Sequence, residues 1–178
     1  LRPYQIHAIE SIREASKTGK SGFVWHTTGS GKTLTSYKAT RNLLMDIPAI
    51  DKAIFLIDRK DLDTQTTMAF QAYANNDLID VDETDNVNDL KKKLKSADRQ
   101  VIVTTIQKMA NAVKNPKYAA VMDAYKDKKV VFIIDECHRS QFGKMHSLIQ
   151  KHFERANYIG FTGTPIFERN KGVDGRTT

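Results

Sequence analysis

Five short apolar runs punctuate the chain: 22–25 (GFVW), 53–57 (AIFLI), 101–103 (VIV), 130–134 (VVFII) and 158–161 (YIGF). Each is close to continuously apolar rather than alternating. That is the pattern of strands buried on both faces, as in a parallel sheet. Segments with helical spacing separate them. Ile6, Ile9 and Ile12 recur every third residue within 4–15. Further helices are predicted over 32–45, 62–73, 87–95, 116–125 and 144–153. Strand then helix, repeated, predicts an open α/β domain with a mostly parallel sheet flanked by helices. Such sheets take their ligands at the carboxyl ends of the strands. The aromatic residues inside the runs, Trp25, Phe55, Phe132 and Phe161, are expected in the core and not as base-stacking platforms. One domain is expected over 1–167, followed by a polar tail, 168–178, that contains Gly172 and Gly175.

The first apolar run leads directly into HTTGSGKT, residues 26–33, and from there into a predicted helix. Gly29 and Gly31 let the backbone curl with its N–H groups pointing inward. With Thr28, Ser30 and the N-terminus of the next helix, they form an anion nest suited to phosphates. Lys32 adds a flexible point charge for the β- and γ-phosphates, and the Thr33 hydroxyl is placed to ligate Mg²⁺. The pattern G-x-x-x-x-G-K-[ST] is met except at its first position, where His26 stands. The ending Gly-Lys-Thr, after a strand and before a helix, is the context the pattern requires. For His26 itself, filling the end of the strand is a sufficient expectation.

Two later stretches also follow apolar runs. DECH, residues 135–138, comes after VVFII. A carboxylate at a strand end beside a phosphate loop can hold Mg²⁺ through water, which gives Asp135 a task. Its neighbour Glu136 can orient and deprotonate an attacking water. An Asp-Glu pair at a strand end is otherwise a common helix-start signal; the phosphate loop upstream changes that reading. His138 lies just beyond, where it could sense a γ-phosphate. Cys137 is not read as a nucleophile. GFTGTP, residues 160–165, presents the hydroxyls of Thr162 and Thr164 near another strand end. Gly-Thr-Pro is ordinary turn chemistry, so this signal draws its force from its place after DECH.

Composition narrows the class. No apolar run approaches the ~20 residues of a membrane helix. Cys137 is the single cysteine, which rules out an internal disulfide and fits a reducing cytoplasm. The net charge of +7 favours a polyanionic partner. It is unevenly spread, with six acidic residues and no basic ones in 77–89, then four lysines in 91–95. A solvated acidic loop and a solvated helix face account for both. The chain does not begin with Met and opens inside a motif-like segment, which reads as an excerpt of something longer.

LRPYQ, TTGSGKT, DECH and GFTGTP, in this order, resemble the first RecA-like motor domain of superfamily 2 helicases and translocases. FVWHTTGSGKTLTSYK, FLIDRKDLDTQ, IDECHRSQFG and GFTGTPIF most resemble the motor subunit of type I restriction enzymes. His26 is a departure of a kind that family tolerates. The resemblance implies ATP and Mg²⁺ as cofactors, with Gln5 reading the adenine edge. It implies that Lys32 and Thr33 take phosphate and metal, and Asp135 and Glu136 metal and water. His138, Thr162 and Thr164 would couple the nucleotide and nucleic-acid sites. Arg59, Lys60, Thr104 and Thr105 match stretches that contact a nucleic-acid backbone without reading sequence, as a motor stepping along any DNA requires. A solvated helix start is the plainer reading of Arg59 and Lys60.

The implied function is ATP-driven translocation on double-stranded DNA, in a complex with modification and specificity subunits. A repair helicase or an RNA-dependent ATPase is the alternative within the superfamily. A nucleotide-regulated switch with no motor role is the alternative outside it. The second motor domain, which supplies the arginine finger in this family, is expected beyond residue 165. No acidic-Lys nuclease cluster is visible. The isolated fragment is therefore expected to hydrolyse ATP poorly.

Overall fold

The computed structural model describes residues 1–27, 29–57, 64–75, 80–98, 100–135 and 140–163. The elements are α1 (Pro3–Lys17), β1 (Gly22–Trp25), α2 (Lys32–Asp46), β2 (Lys52–Ile57), α3 (Thr64–Ala74), β3 (Asp80–Glu83) and α4 (Val87–Lys95). They continue with β4 (Gln100–Thr105), α5 (Ile106–Lys114), a 3₁₀ turn (Pro116–Tyr118), α6 (Ala119–Ala124), β5 (Val130–Asp135), α7 (Ser140–His152) and β6 (Asn157–Thr162). Among the described residues the strands form one six-stranded sheet in the order β1-β6-β5-β2-β4-β3. Every pairing is parallel.

The continuous apolar runs are explained by two cores, one on each face. Along β2, Ile54 and Leu56 point to a core with Leu90, Met109, Phe132 and Phe153, built with α4 to α7. Ala53, Phe55 and Ile57 point the other way, to Ile9, Tyr37, Leu43 and Phe70 on α1 to α3. Successive side chains alternate between faces, and here both faces are apolar. Aromatic pairs key the layers together. Phe132 meets Phe153 at 5.2 Å between centroids, and Phe55 meets Phe70 at 4.6 Å. Each such fully buried side chain contributes about 1.5–3 kcal/mol through burial.

Several expectations need correction. Trp25 is not core: it is 60 % exposed, and Phe23 is 73 % exposed. β1 is an edge strand, and only Val24 turns to the packed face. The other aromatics of the runs, Phe55, Phe132 and Phe161, are buried as expected. The acidic stretch read as a loop contains β3, which pairs with β4 in the register Val81↔Val101. An edge strand is held by its backbone ladder and does not require apolar residues on both faces. Finally, α5 follows β4 with no break. Thr105 caps it, accepting from the Lys108 N–H at 3.1 Å. Its apolar positions Ile106, Met109 and Ala110 are buried. The predicted helix 116–125 is a 3₁₀ turn followed by the shorter α6, and α7 begins earlier than 144.

Candidate nucleotide site

The parallel sheet brings the ends of β1, β6 and β5 side by side. Three of the four stretches singled out in the sequence, HTTGSGKT, DECH and GFTGTP, leave the sheet there. The ladder continues one residue past β1, where the His26 N–H donates to the Thr162 carbonyl at 2.9 Å. The chain then turns through Gly29 at φ 76° and Gly31 at φ 82°. Both lie in the left-handed region that L side chains avoid. Gly31 is also the N-cap of α2. Space decides too: a Cβ on Gly31 would lie 2.9 Å from Gln5 Nε2, whereas one on Gly29 meets nothing within 4 Å.

Side chains from α1 brace the loop. The Tyr4 hydroxyl donates to the Ser30 carbonyl at 2.6 Å. Gln5 is 4 % exposed. Its Nε2 donates to Thr35 Oγ1 at 3.0 Å, and its Oε1 accepts from the Arg2 N–H at 2.8 Å. The amide expected to read an adenine edge thus also ties the start of α1 to the start of α2. His26 is buried at 4 % exposure. Its Nδ1 bonds Ser30 Oγ, and its Nε2 bonds Thr35 Oγ1 at 3.0 Å. Burial lowers its pKa below the usual imidazole value, and the positive charge of Lys32 lowers it further. A hydrogen bond with the Thr27 backbone works in the opposite direction. The polar face of α2 is satisfied internally as well. Thr35, Ser36 and Thr40 return their hydroxyls to carbonyls three or four residues back.

Lys32 and Thr33 open α2. Lys32 Nζ lies 3.0 Å from Asp135 Oδ1, at the end of β5 and one strand beyond β6. The pair is only partly buried, with the side chains 22 % and 19 % exposed. A glycine-shaped loop, a lysine, a helix N-terminus and a carboxylate meet over one spot. The donor set fits a nucleotide's phosphates, and Thr33 with Asp135 offers the hard oxygen atoms that suit Mg²⁺.

A family model described as SWI2/SNF2 ATPase matches residues 4–177. The chain belongs to the SWI2/SNF2 ATPase family. Over 179 aligned residues it is 54 % identical to the endonuclease subunit of a type I restriction enzyme from Staphylococcus saprophyticus. That alignment covers 100 % of this chain and 19 % of the relative, so the chain spans about a fifth of the relative's length. It is 43 % identical over 166 residues to the C-terminal part of a putative type I restriction enzyme endonuclease subunit of Mycoplasma pneumoniae, covering 86 % of this chain and 78 % of that protein. In fold it is similar to a nuclease-deleted type ISP restriction-modification enzyme, LlaGI, solved with a DNA substrate mimic. The TM-score is 0.66 at 23 % identity, over 95 % of this chain and 18 % of that one.

Within this SWI2/SNF2 ATPase domain the structure brings Gln5, Gly29, Ser30, Gly31, Lys32, Thr33, Asp135 and Thr162 to one end of the sheet. Thr28, Arg59, Lys60, Glu136, His138 and Thr164 lie outside the described residues, as do Pro165 and the tail. Thr104 and Thr105 are 1 % and 2 % exposed. Thr104 Oγ1 accepts from Thr84 Oγ1 at 2.7 Å, and Thr105 caps α5. At the end of β4 both hydroxyls are buried with partners inside the fold. Motif reading missed Tyr4, Thr35 and the bonding role of His26. Tyr4 lay within LRPYQ and His26 was visible as a departure, but their convergence on Ser30 and Thr35 depends on the folded chain.

Proposed function

We propose that this chain is the ATP-binding half of an ATP-dependent double-stranded DNA translocase, within the motor subunit of a type I restriction endonuclease. The observation that carries the reading is Lys32 set 3.0 Å from Asp135 above a loop with two left-handed glycines. Lys32 and the N–H groups of Thr28 to Gly31 hold the β- and γ-phosphates. Thr33 and, through water, Asp135 would hold Mg²⁺, which would neutralise charge developing on the phosphates. Glu136 orients the attacking water and accepts its proton. His138, Thr162 and Thr164 relay the state of the nucleotide site to the DNA site. For Thr162 the support is its carbonyl bond to His26 at the root of the loop. Modification and specificity subunits are the proposed partners, and the cytoplasm the proposed compartment. Among the described residues no helix is long and apolar enough to cross a membrane.

The deciding experiment is ATP hydrolysis by the full-length subunit, assembled with its partners, with and without double-stranded DNA. Hydrolysis that requires DNA without strand separation supports the translocase. Strand separation favours the helicase alternative, and ATP binding indifferent to DNA favours a switch. Residues 1–178 alone are expected to release phosphate at least about 10³-fold more slowly than the assembly, because the arginine finger is assigned to the second motor domain. Rapid DNA-stimulated turnover by the fragment contradicts that assignment. Neutralising Arg59 and Lys60 together is expected to weaken DNA binding equally for all sequences. It also reduces the slope of log affinity against log salt by about one for each phosphate left without a cation. A loss confined to particular sequences excludes backbone contact by these residues.

A further inference from the structure

One buried group of the loop has no task in the reading above. His26 stands where the phosphate-loop pattern has glycine, yet it does more than occupy space. Its ring packs against two others. Tyr4 packs edge-on at 5.7 Å between centroids and Phe161 lies tilted at 6.5 Å. Its backbone is held by the Thr162 carbonyl. With ring and backbone fixed, its two nitrogens reach two different elements. Nδ1 meets Ser30, on the crown of the loop, and Nε2 meets Thr35, on α2. No glycine can make that bridge.

The partners are themselves anchored. Ser30 Oγ donates to the Thr27 carbonyl. It is therefore an acceptor toward the ring, which makes Nδ1 the N–H donor and leaves Nε2 as the acceptor. Thr35 Oγ1 accepts from Gln5 Nε2 at 3.0 Å and shares its one proton between His26 Nε2 and the Gly31 carbonyl. Burial and the nearby Lys32 charge both favour the uncharged ring that this arrangement needs. The loop gathers convergent N–H groups, which repel one another until an anion arrives. Side-chain struts that hold such a shape in advance lower the cost of binding.

We propose that His26 is a positioning residue of the phosphate loop, bridging Ser30 to Thr35 and so holding the loop in its anion-binding shape before nucleotide enters. The inference rests on the phosphate-loop reading. A loop held in this way is competent in most molecules. Without the bridge only a fraction is competent, and apparent affinity falls by that fraction.

The test uses steady-state ATP hydrolysis by the full-length subunit in its DNA-bound assembly, with His26→Ala, His26→Asn, His26→Gln and Lys32→Ala. His26→Ala is expected to raise the KM for ATP about tenfold, on the scale of two lost hydrogen bonds. Its kcat should stay within about twofold, because pre-shaping acts equally on ground and transition states. Asparagine, whose amide takes the place of Nδ1, and glutamine, whose amide approaches that of Nε2, are each expected to recover part of the loss. A purely structural role predicts the reverse: fewer active molecules, hence lower apparent kcat at unchanged KM. That pattern, or a His26→Ala KM within about twofold of the parent, overturns the proposal. KM does not depend on how much enzyme is active, so reduced folding of one variant leaves the measurement decisive. If Lys32→Ala retains hydrolysis, the phosphate-loop reading itself fails. If Lys32→Ala is inactive and His26→Ala is unchanged, only the bridge fails.

Discussion

Lys32→Ala in the full-length subunit is expected to abolish ATP hydrolysis while the domain stays folded. The lysine opens α2 and its Nζ lies 3.0 Å from Asp135 Oδ1, with neither side chain fully buried. A partly exposed pair of this kind adds little to stability, because solvent screens it and two side chains must be ordered to form it. Over the loop the same charge has a different value. On the proposed reading it faces the position where the γ-phosphate would develop negative charge, in a setting already fixed by the sheet. Removing one such preorganised group costs at least about a hundredfold in rate. Arginine is not a conservative replacement, since its planar fork cannot sit as a compact point charge. The check is phosphate release alongside thermal unfolding. A variant that hydrolyses ATP normally removes the phosphate-loop assignment. A variant whose melting temperature collapses shows that the lysine serves the fold instead.

What was legible in the sequence follows from which physical constraints are local. Strands β2, β4, β5 and β6 were readable because each is buried on both faces, and that leaves a continuous apolar run. The edge strands obey weaker rules. β3 carries a single apolar residue, Val81, and is recruited by pairing with β4, so no periodicity announces it. In β1 the run GFVW looks like core, but an edge position leaves Phe23 and Trp25 exposed. The glycine turn between β1 and α2 was readable because its two glycines, with a lysine and a hydroxyl after them, fall within a few consecutive residues. The bracing of that loop was not. Tyr4 to Ser30 spans 26 residues, and the Gln5 to Thr35 bond spans 30. Thr104 and Thr105 show the same dependence on partners set by the folded chain. Hydroxyls at a strand end suit phosphate contact in principle, and the fold had already engaged both, one with Thr84 and one as the cap of α5.

The second large effect is expected at Gly31, where two separate constraints coincide. Its φ of 82° and ψ of 34° lie in the left-handed region. An alanine there costs about 1–2 kcal/mol in backbone strain alone. Its Cβ would also lie 2.9 Å from Gln5 Nε2. A flexible side-chain tip could usually swing aside at little cost, but this one is 4 % exposed and donates to Thr35 Oγ1 at 3.0 Å. Moving it breaks that bond, a further loss of about 1 kcal/mol. Together the two terms predict a fall in ATP affinity of roughly a hundredfold for Gly31→Ala, if both are expressed in the loop's binding shape. They can be separated, because only the second involves Gln5. In a Gln5→Ala background the clash is absent and the dihedral strain remains, so Gly31→Ala should cost less there than in the parent. A double-mutant cycle on ATP affinity reads the difference directly, and the two residues are close enough to couple. Coupling of about fivefold supports the contact as drawn. Strict additivity shows that Gln5 yields freely and that the left-handed turn alone makes glycine necessary. An unchanged affinity in Gly31→Ala itself contradicts both terms, and with them the shape assigned to the loop.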